Sequence, residues 1–232
     1  MAALVDLWPV LVSCRQIDAV DGQLAAALGL DPVKHLSAGL VTCDQDDSLY
    51  IALDACTKHA RVDVVFGRSF YAGSKHASGP LSGEVLGIVA GAHPSEVEEA
   101  LWALRDELRR VRFQTPPGDA TGAQGQPAWL AHVITETGHY LAPQAGIDPG
   151  APMAYLIAPP LESVIGVDAA LKAADVKLGK WIAPPSETNF GGAFLVGELP
   201  ALEAARDAFI EAIVEVTRAP LAAARRPMRL RR

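Results

Sequence analysis

The chain has 232 residues, half of them hydrophobic, which is enough for one large domain or for two domains of roughly 110 residues each. Its formal net charge of −7 argues against a nucleic-acid-binding body, which needs a basic surface. The sequence contains no run of about 20 apolar residues, so it predicts no membrane-spanning helix.

The hydrophobic pattern predicts the same order of elements twice. In the first half it predicts strands at 7–13, 38–43, 62–66 and 84–89 and helices at 48–60 and 94–110. In the second half it predicts strands at 129–135, 153–158, 176–182 and 193–196 and helices at 161–174 and 200–217. Strands and helices interleave with hairpin-like connections, so the predicted fold class is α+β, with mostly antiparallel sheets flanked by helices.

The chain also repeats itself at the level of residues. A segment that begins with Asp54 and carries Lys58 four residues later is matched by one that begins with Asp168 and carries Lys172. Each segment continues into a Val-containing run that ends in Gly and a basic residue. The offset of 114 residues is about half the chain, which indicates duplication of a whole domain. A Pro/Gly-rich stretch marks the boundary, so we predict a first domain at 1–114, a linker at 115–127 and a second domain at 128–232.

Segments of the second half are similar to a known domain. The block 166–181, followed by the small-residue run 191–197, resembles the shell domain of bacterial microcompartments, the BMC domain. The whole chain resembles the tandem-domain, circularly permuted trimeric shell proteins of ethanolamine-utilisation compartments. The motifs that carry this resemblance lie at 44–47, 67–73, 82–85, 131–133, 152–162 and 184–189. The resemblance implies two tandem, circularly permuted BMC domains, a fold related to the ferredoxin-like fold.

The resemblance also implies a function. Such a protein is a structural component of the shell, and it forms a homotrimeric pseudohexamer that tiles laterally with other shell proteins. Small pores and a gated central pore then control the passage of small molecules. In this family a lysine near the end of a helix makes the contact between tiles, and Lys58 and Lys172 match that position. The alternative is that both are ordinary solvated lysines.

The resemblance assigns the loops 68–81 and 183–190 to the central pore. The first loop is rich in Gly, Ser and Ala, which bury little surface and order weakly, so it is either a gate or a floppy surface loop. Three copies of His76 around an axis would be able to bind a metal or respond to pH, but a solvated histidine is the simpler interpretation and we predict no metal site. The candidate pore residues are Arg68, Tyr71, Gly73, Lys75, His76 and Glu187.

The resemblance further implies that Asp46 and Glu84 line the small pores and hold ethanolamine. An ammonium group has three donors and no acceptor, so it suits carboxylate oxygens, and the hydroxyl needs one more polar partner. Thr188 is the candidate for that partner, and Phe113 is a candidate wall of the site. The alternative is that Asp46 caps a helix, a role for which Asp47 competes, and that Glu84 is a surface acid.

No recognisable catalytic or cofactor-binding motif occurs, so we predict neither an enzyme nor a cofactor. Three cysteines without metal-ligand spacing, and the lack of a basic signal-peptide region, predict a cytoplasmic protein of the shell. An oligomeric small-molecule sensor or regulatory module is the alternative. Five arginines between Arg225 and Arg232 form either a solvated tail or a contact with an acidic partner surface.

Overall fold

The computed structural model describes residues 4–70, 85–117, 127–184, 186 and 190–219. Its elements, in chain order, are β1 (Val5–Leu7), β2 (Leu11–Ile17), α1 (Gly22–Leu28), β3 (Ser37–Cys43), α2 (Asp46–His59), β4 (Val62–Ser69), β5 (Val85–Gly91), α3 (Pro94–Glu107), β6 (Phe113–Thr115), β7 (Leu130–Ile134), α4 (Ala142–Ala145), β8 (Met153–Ala158), α5 (Pro160–Ala173), β9 (Lys177–Ile182), β10 (Gly191–Val196) and α6 (Leu199–Arg218).

The two halves have the same sheet topology. The strand order is β2-β3-β5-β4 in the first half and β7-β8-β10-β9 in the second. Both orders place the first, second, fourth and third strands of a half side by side, and the strand pairings of the described residues are antiparallel. The predicted α+β class and the repetition of the element order are therefore confirmed.

The strand predicted at 7–13 differs from the structure. It is divided into β1 and β2, which flank Pro9. Proline has no N–H group to donate to a strand ladder, so continuous pairing through this position is disfavoured. β1 instead pairs with β6 to form a separate two-stranded sheet, in which Asp6 lies opposite Gln114. β6 lies in the region where the sequence analysis placed a domain boundary.

Among the described residues, buried side chains form three core clusters. One lies in the first half and includes Leu53 and Leu104, and a second lies in the second half and includes Trp129 and Phe209. The third joins the two halves and includes Ile51. This third cluster exists because α2 is buried along nearly its whole length, so one of its faces covers its own sheet and another meets the second half.

Candidate ligand site between the two halves

Helix α2 is held against the second half by a fully buried carboxylate. The Oδ2 atom of Asp54 accepts a hydrogen bond from the backbone N–H of Gly138 at 2.6 Å. Its Oδ1 atom accepts from the N–H groups of Tyr140 at 3.2 Å and Leu141 at 2.8 Å. These N–H groups belong to the loop that leads into α4, where neither a strand ladder nor the helix supplies partners for them. Asp54 therefore satisfies backbone groups that burial would otherwise leave unpaired.

Two neighbours of Asp54 on α2 contact the same loop. The Thr57 hydroxyl accepts a hydrogen bond from the N–H of His139 at 2.8 Å, and the Lys58 ammonium donates to the carbonyl of Glu136 at 2.7 Å. Lys58, one of the two predicted edge residues, thus makes a contact between the two halves of its own chain. The loop and α2 are therefore joined by hydrogen bonds, and both line the cavity described next.

A cavity of about 380 Å³ lies where the two halves meet. This volume is within the range of sites for small ligands. The first half contributes the start of α2 and part of β4, and the second half contributes residues near α4 and in β8, β9 and β10. The lining side chains on which the chemistry depends are Asp46, Asp47, Tyr50, Tyr140, Gln144, Tyr155, Lys180, Ser186 and Phe194.

Two adjacent buried carboxylates occupy one end of the lining. Asp46 and Asp47 lie in the first turn of α2, where the positive end of the helix dipole favours negative charge. The Tyr155 hydroxyl donates a hydrogen bond to Oδ1 of Asp47 at 2.6 Å. Burial, and then the charge of Asp46, raise the pKa of the Asp47 carboxyl well above its usual range, although the Tyr155 hydrogen bond lowers it. Burial also raises the pKa of Tyr155, so this phenol remains a hydrogen-bond donor.

An ammonium group completes the polar lining. The Nζ atom of Lys180 donates a hydrogen bond to Oε1 of Gln144 at 2.9 Å and lies 5.3 Å from the centroid of the Phe194 ring. Partial burial lowers the pKa of Lys180. The cavity therefore offers acceptor oxygens from Asp46 and Asp47 as well as donors from Lys180, a combination that suits a small molecule with both kinds of group.

The predicted ligand residues are only partly within the described structure. Asp46 lines the cavity, but it does not cap α2, because Gln45 occupies the N-cap position and Asp47 is likewise inside the first turn. Phe113 packs in the core cluster that joins the halves, with its ring centroid 6.1 Å from that of Phe190, and it is not among the described lining residues. Glu84 and Thr188 lie outside the described residues.

The predicted pore residue Arg68 and the predicted edge residue Lys172 are not among the residues that line this cavity. Arg68 lies in β4, with its guanidinium carbon 5.8 Å from the Phe66 ring centroid. Lys172 is exposed near the end of α5 and pairs with Asp168 at 2.6 Å. The pore candidates outside the described residues are Tyr71, Gly73, Lys75, His76 and Glu187.

Sequence reasoning missed several residues of the cavity. Tyr155 lies inside the motif 152–162, but nothing local indicates that its hydroxyl reaches Asp47, 108 residues earlier. Tyr140 lies outside the motifs, and Lys180 lies within the block 166–181, where no local feature indicates that its side chain reaches a cavity. One available signal was the interruption of a buried, apolar strand by a tyrosine, since a buried phenol needs a hydrogen-bond partner.

Two other features are absent from the described residues. No helix within the described ranges is both long and apolar enough to cross a membrane. The same part of the chain contains no group of three or more His, Cys, Asp or Glu side chains placed to hold a metal ion.

Comparison with known proteins agrees with this fold. Residues 37–114 match the family model of the BMC domain, so the first half has the fold of a microcompartment shell domain. Over 223 residues the chain is 46% identical to the bacterial microcompartment shell protein EutL of Escherichia coli strain K12, which covers 95% of this chain and 99% of the relative. The chain belongs to the EutL family of bacterial microcompartment shell proteins, which confirms the prediction of a shell protein with a structural role.

Solved structures extend the match to both halves. The crystal structure of EutL from Clostridium perfringens matches with a TM-score of 0.87 at 45% identity, over 94% of this chain and 97% of that one. EutL from Leptotrichia buccalis matches with the same TM-score and identity, over 95% and 99% of the two chains. The tandem arrangement of two related units is therefore shared with these proteins.

Proposed function

We propose that this protein forms a trimeric pseudohexamer in a microcompartment shell and that the cavity between its halves takes a small amino alcohol such as ethanolamine. The observation that carries the ligand proposal is the position of Asp46, which lines a cavity built by both halves. The proposed domains are 1–114 and 128–232, joined by 115–127. Three such chains supply six similar units, which is what a hexagonal tile requires.

The chemistry of the lining supports an amine as the ligand. An ammonium group bound near Asp46 and Asp47 replaces lost water contacts with charge-assisted hydrogen bonds. The ring of Tyr50 is part of the same lining and offers an apolar contact for the carbon chain. Lys180 is a donor for an oxygen of the ligand, so an amino alcohol matches the cavity better than a simple amine.

Because the pKa of Asp47 is raised, binding of a cationic ligand is expected to change the protonation of this carboxyl. A bound cation next to Asp46 and Asp47 reduces their mutual repulsion and stabilises the ionised form of both. Ammonium binding is therefore expected to release a proton from Asp47 at a pH where the empty site holds it. The release is detectable as a dependence of the binding enthalpy on the ionisation enthalpy of the buffer.

The proposal also includes a gated central pore. Segments 68–81 and 183–190 of three copies would surround a common axis, as the family resemblance implies. Of the first segment, Arg68 and Ser69 belong to the end of β4. No metal or cofactor is part of this proposal.

We assign no catalytic step to the chain. Burial raises the pKa values of the Cys43 and Cys56 thiols to about 12, so both are protonated and poorly nucleophilic at neutral pH. Cys56 in addition donates hydrogen bonds to the carbonyls of Ala52 and Ala100. These features support a structural role for the thiols.

Two measurements test the proposal. Sedimentation velocity and electron microscopy of the purified chain should give a trimer and hexagonal arrays, whereas a monomer or dimer that binds amines would favour the sensor alternative. Calorimetric titration with ethanolamine should show binding that Asp46→Asn weakens at least tenfold and that Glu98→Gln, a change at an exposed acid on α3, leaves unchanged. Equal affinity in all three proteins would contradict the assignment of the cavity.

A further inference from the structure

A groove of about 610 Å³ lies beside the C-terminal part of α6, and it takes no part in the candidate ligand site. Ile210 and Val214 of α6 form one side of it, and Leu4 and the prolines Pro116 and Pro117 belong to the same lining. Most of this lining is apolar. The groove therefore exposes apolar surface to water unless a further segment covers it.

The apolar side of the groove follows from the sequence of α6, which carries two adjacent apolar rows. The first row packs in the core of the second half, and its members are Leu202, Ala205, Phe209 and Ile213. Ile210 and Val214 each lie one position after a member of this row, and they are only partly buried. This second row lines the groove, so an apolar segment placed there would extend the packing of the core.

A row of acidic side chains runs along the same helix. Glu203, Asp207, Glu211 and Glu215 are exposed and four residues apart, so each is a neighbour of the next on the helix surface. Glu211 and Glu215 are part of the groove lining. Among the described residues, Asp207 is the one member of this row in an ion pair, with Arg206 at 2.7 Å. Like charges at this spacing destabilise a helix, so a cationic segment beside the row would stabilise it.

The chain continues from this groove into a basic segment. Ala219, the last described residue, is part of the lining, and its φ of −142° and ψ of 63° show that the chain has left the helical conformation. A proline follows, which cannot continue the helix. Residues 220–232 contain five arginines, no acid and the apolar residues Leu221, Met228 and Leu230. Their composition matches both the apolar groove and the acidic row.

Two other segments outside the described residues also adjoin the groove, and their chemistry fits it less well. Residues 1–3 carry no charged side chain, and residues 118–126 are polar with an acid as their one charge. The groove lining contains Glu211, Glu215 and Arg218, so the charge of the lining is negative on balance. Of the three segments, the C-terminal one combines apolar side chains with strong positive charge.

The C-terminal segment is also long enough to follow the acidic row. A helix rises 1.5 Å per residue, so Glu203 and Arg218 lie about 23 Å apart along the axis of α6. An extended chain covers roughly 3.3 Å per residue, so residues 220–232 reach about 43 Å. Because the segment starts at the groove, its docking is intramolecular and benefits from a high effective concentration.

We propose that residues 220–232 turn back after α6 and dock in the groove of the same chain, with apolar side chains against Ile210 and Val214 and with arginines along the acidic row. The arginine-rich segment is then neither a solvated tail nor a contact with an acidic partner. It covers the apolar groove and neutralises the row of acids on α6. This inference depends neither on the trimer nor on the amino alcohol in the cavity between the halves.

Cleavage by trypsin after arginine measures the docking in the intact protein, since a docked segment is cut only through its undocked fraction. Release of the peptide that follows Arg225 should be at least fivefold faster in Glu211→Gln/Glu215→Gln than in the wild type. The matched control is Glu98→Gln/Glu99→Gln, which changes two exposed acids of α3 and should leave the rate unaltered. Equal rates in the wild type and in the groove variant would overturn the inference.

A second pair of variants tests the apolar part of the contact. Leu221→Ser should speed the same cleavage at least threefold, because it removes apolar surface that the groove would bury. Ala222→Ser is the matched control, since it adds a hydroxyl at the adjacent position without removing a large apolar side chain. A Leu221→Ser protein that is cut at the rate of the control would show that the segment does not occupy the groove.

Cross-linking identifies the chain in which the groove is occupied. The amine introduced by Arg225→Lys should be joined by a carbodiimide to Glu211 or Glu215, and mass spectrometry should locate this cross-link in material with the mass of one chain. The same cross-link between two chains would overturn the assignment in favour of a second copy. Failure to cross-link to any residue of α6 would show that the segment is solvated or bound elsewhere, which also overturns the inference.

Discussion

Individual ionisable residues in this protein are used to join its two halves. Asp54 is fully buried, yet no cation faces it among the described residues, since its oxygens accept hydrogen bonds from three backbone N–H groups. Asp47 is buried next to Asp46 and is held by a phenol from the other half. Each carboxylate is stabilised by groups that only the packed pair of halves can supply, so both depend on the boundary remaining closed.

His132 gives a prediction for the pH dependence of stability. Burial, followed by the positive charges of Arg112, Lys58 and Arg206, lowers the pKa of this imidazole to about 4, while Glu107 lies 4.0 Å away. The pKa of His132 is lower in the folded state than in the unfolded chain, so only the unfolded chain takes up a proton as the pH falls below 6.5. This protonation favours unfolding, and the stability present above pH 6.5 is lost as the pH falls toward 4. The loss amounts to at most about 3 kcal/mol.

Urea unfolding of the wild type and of His132→Gln between pH 8 and pH 4 measures this effect. The difference in unfolding free energy between the two proteins should stay constant above pH 7 and change in favour of the variant as the pH falls. Parallel pH profiles would show that the imidazole does not titrate differently in the folded state.

At the scale of elements, the contact between α2 and the loop before α4 depends on a residue without a side chain. A Cβ atom at Gly138 would collide with the Thr57 hydroxyl and with the backbone carbonyl of Asp54. Gly138→Ala is therefore expected to push the loop off α2 and to cost about 3 kcal/mol, from overpacking and from lost hydrogen bonds.

Chemical denaturation checks this expectation, with Gly22→Ala as the control. A Cβ atom at Gly22 meets no atom within 4 Å, so that change should alter stability by less than about 1 kcal/mol. Similar stability of the two alanine variants would mean that the loop tolerates displacement from α2.

Hydrophobic patterns in the sequence predicted the longer helices and strands but missed the shortest strands. The predicted helix at 48–60 lies within about two residues of Asp46–His59, and the strand predicted at 153–158 agrees with Met153–Ala158. Local hydrophobic periodicity suffices for such elements. The pairing of β1 with β6 was missed, because strands of three residues carry too little pattern and their partner lies more than 100 residues away.

For the whole molecule, the core cluster that joins the halves predicts cooperative unfolding. Ile51, Val111 and Phe113 of the first half pack in one cluster with Leu130 and Leu141 of the second. Loss of either half would expose the apolar surface of the other, so the two are expected to unfold together.

Urea titrations followed by far-ultraviolet circular dichroism and by tryptophan fluorescence test this. Trp129 is fully buried in the second half, whereas Trp8, Trp102 and Trp181 are exposed, so we expect Trp129 to contribute most of the change in emission on unfolding. The two signals should give coincident transitions, with a midpoint that rises with protein concentration if the trimer forms. Two separated transitions at a fixed concentration would show that the halves are independently stable.

The sequence alone determined the order of the longer elements and the duplication, because these follow from local periodicity and from residues repeated at a fixed offset. Its motifs also indicated the class of shell protein, through their resemblance to a known family. It also singled out Asp46, since this carboxylate belongs to the motif 44–47 that carries the family resemblance and lies just before a predicted helix. Tertiary structure alone decided which groups share the cavity with Asp46, because Tyr155 and Lys180 reach it from separate strands. It also decided that the duplicates α2 and α5 differ, since their sequences keep the same polar pair and only packing buries one of the two helices.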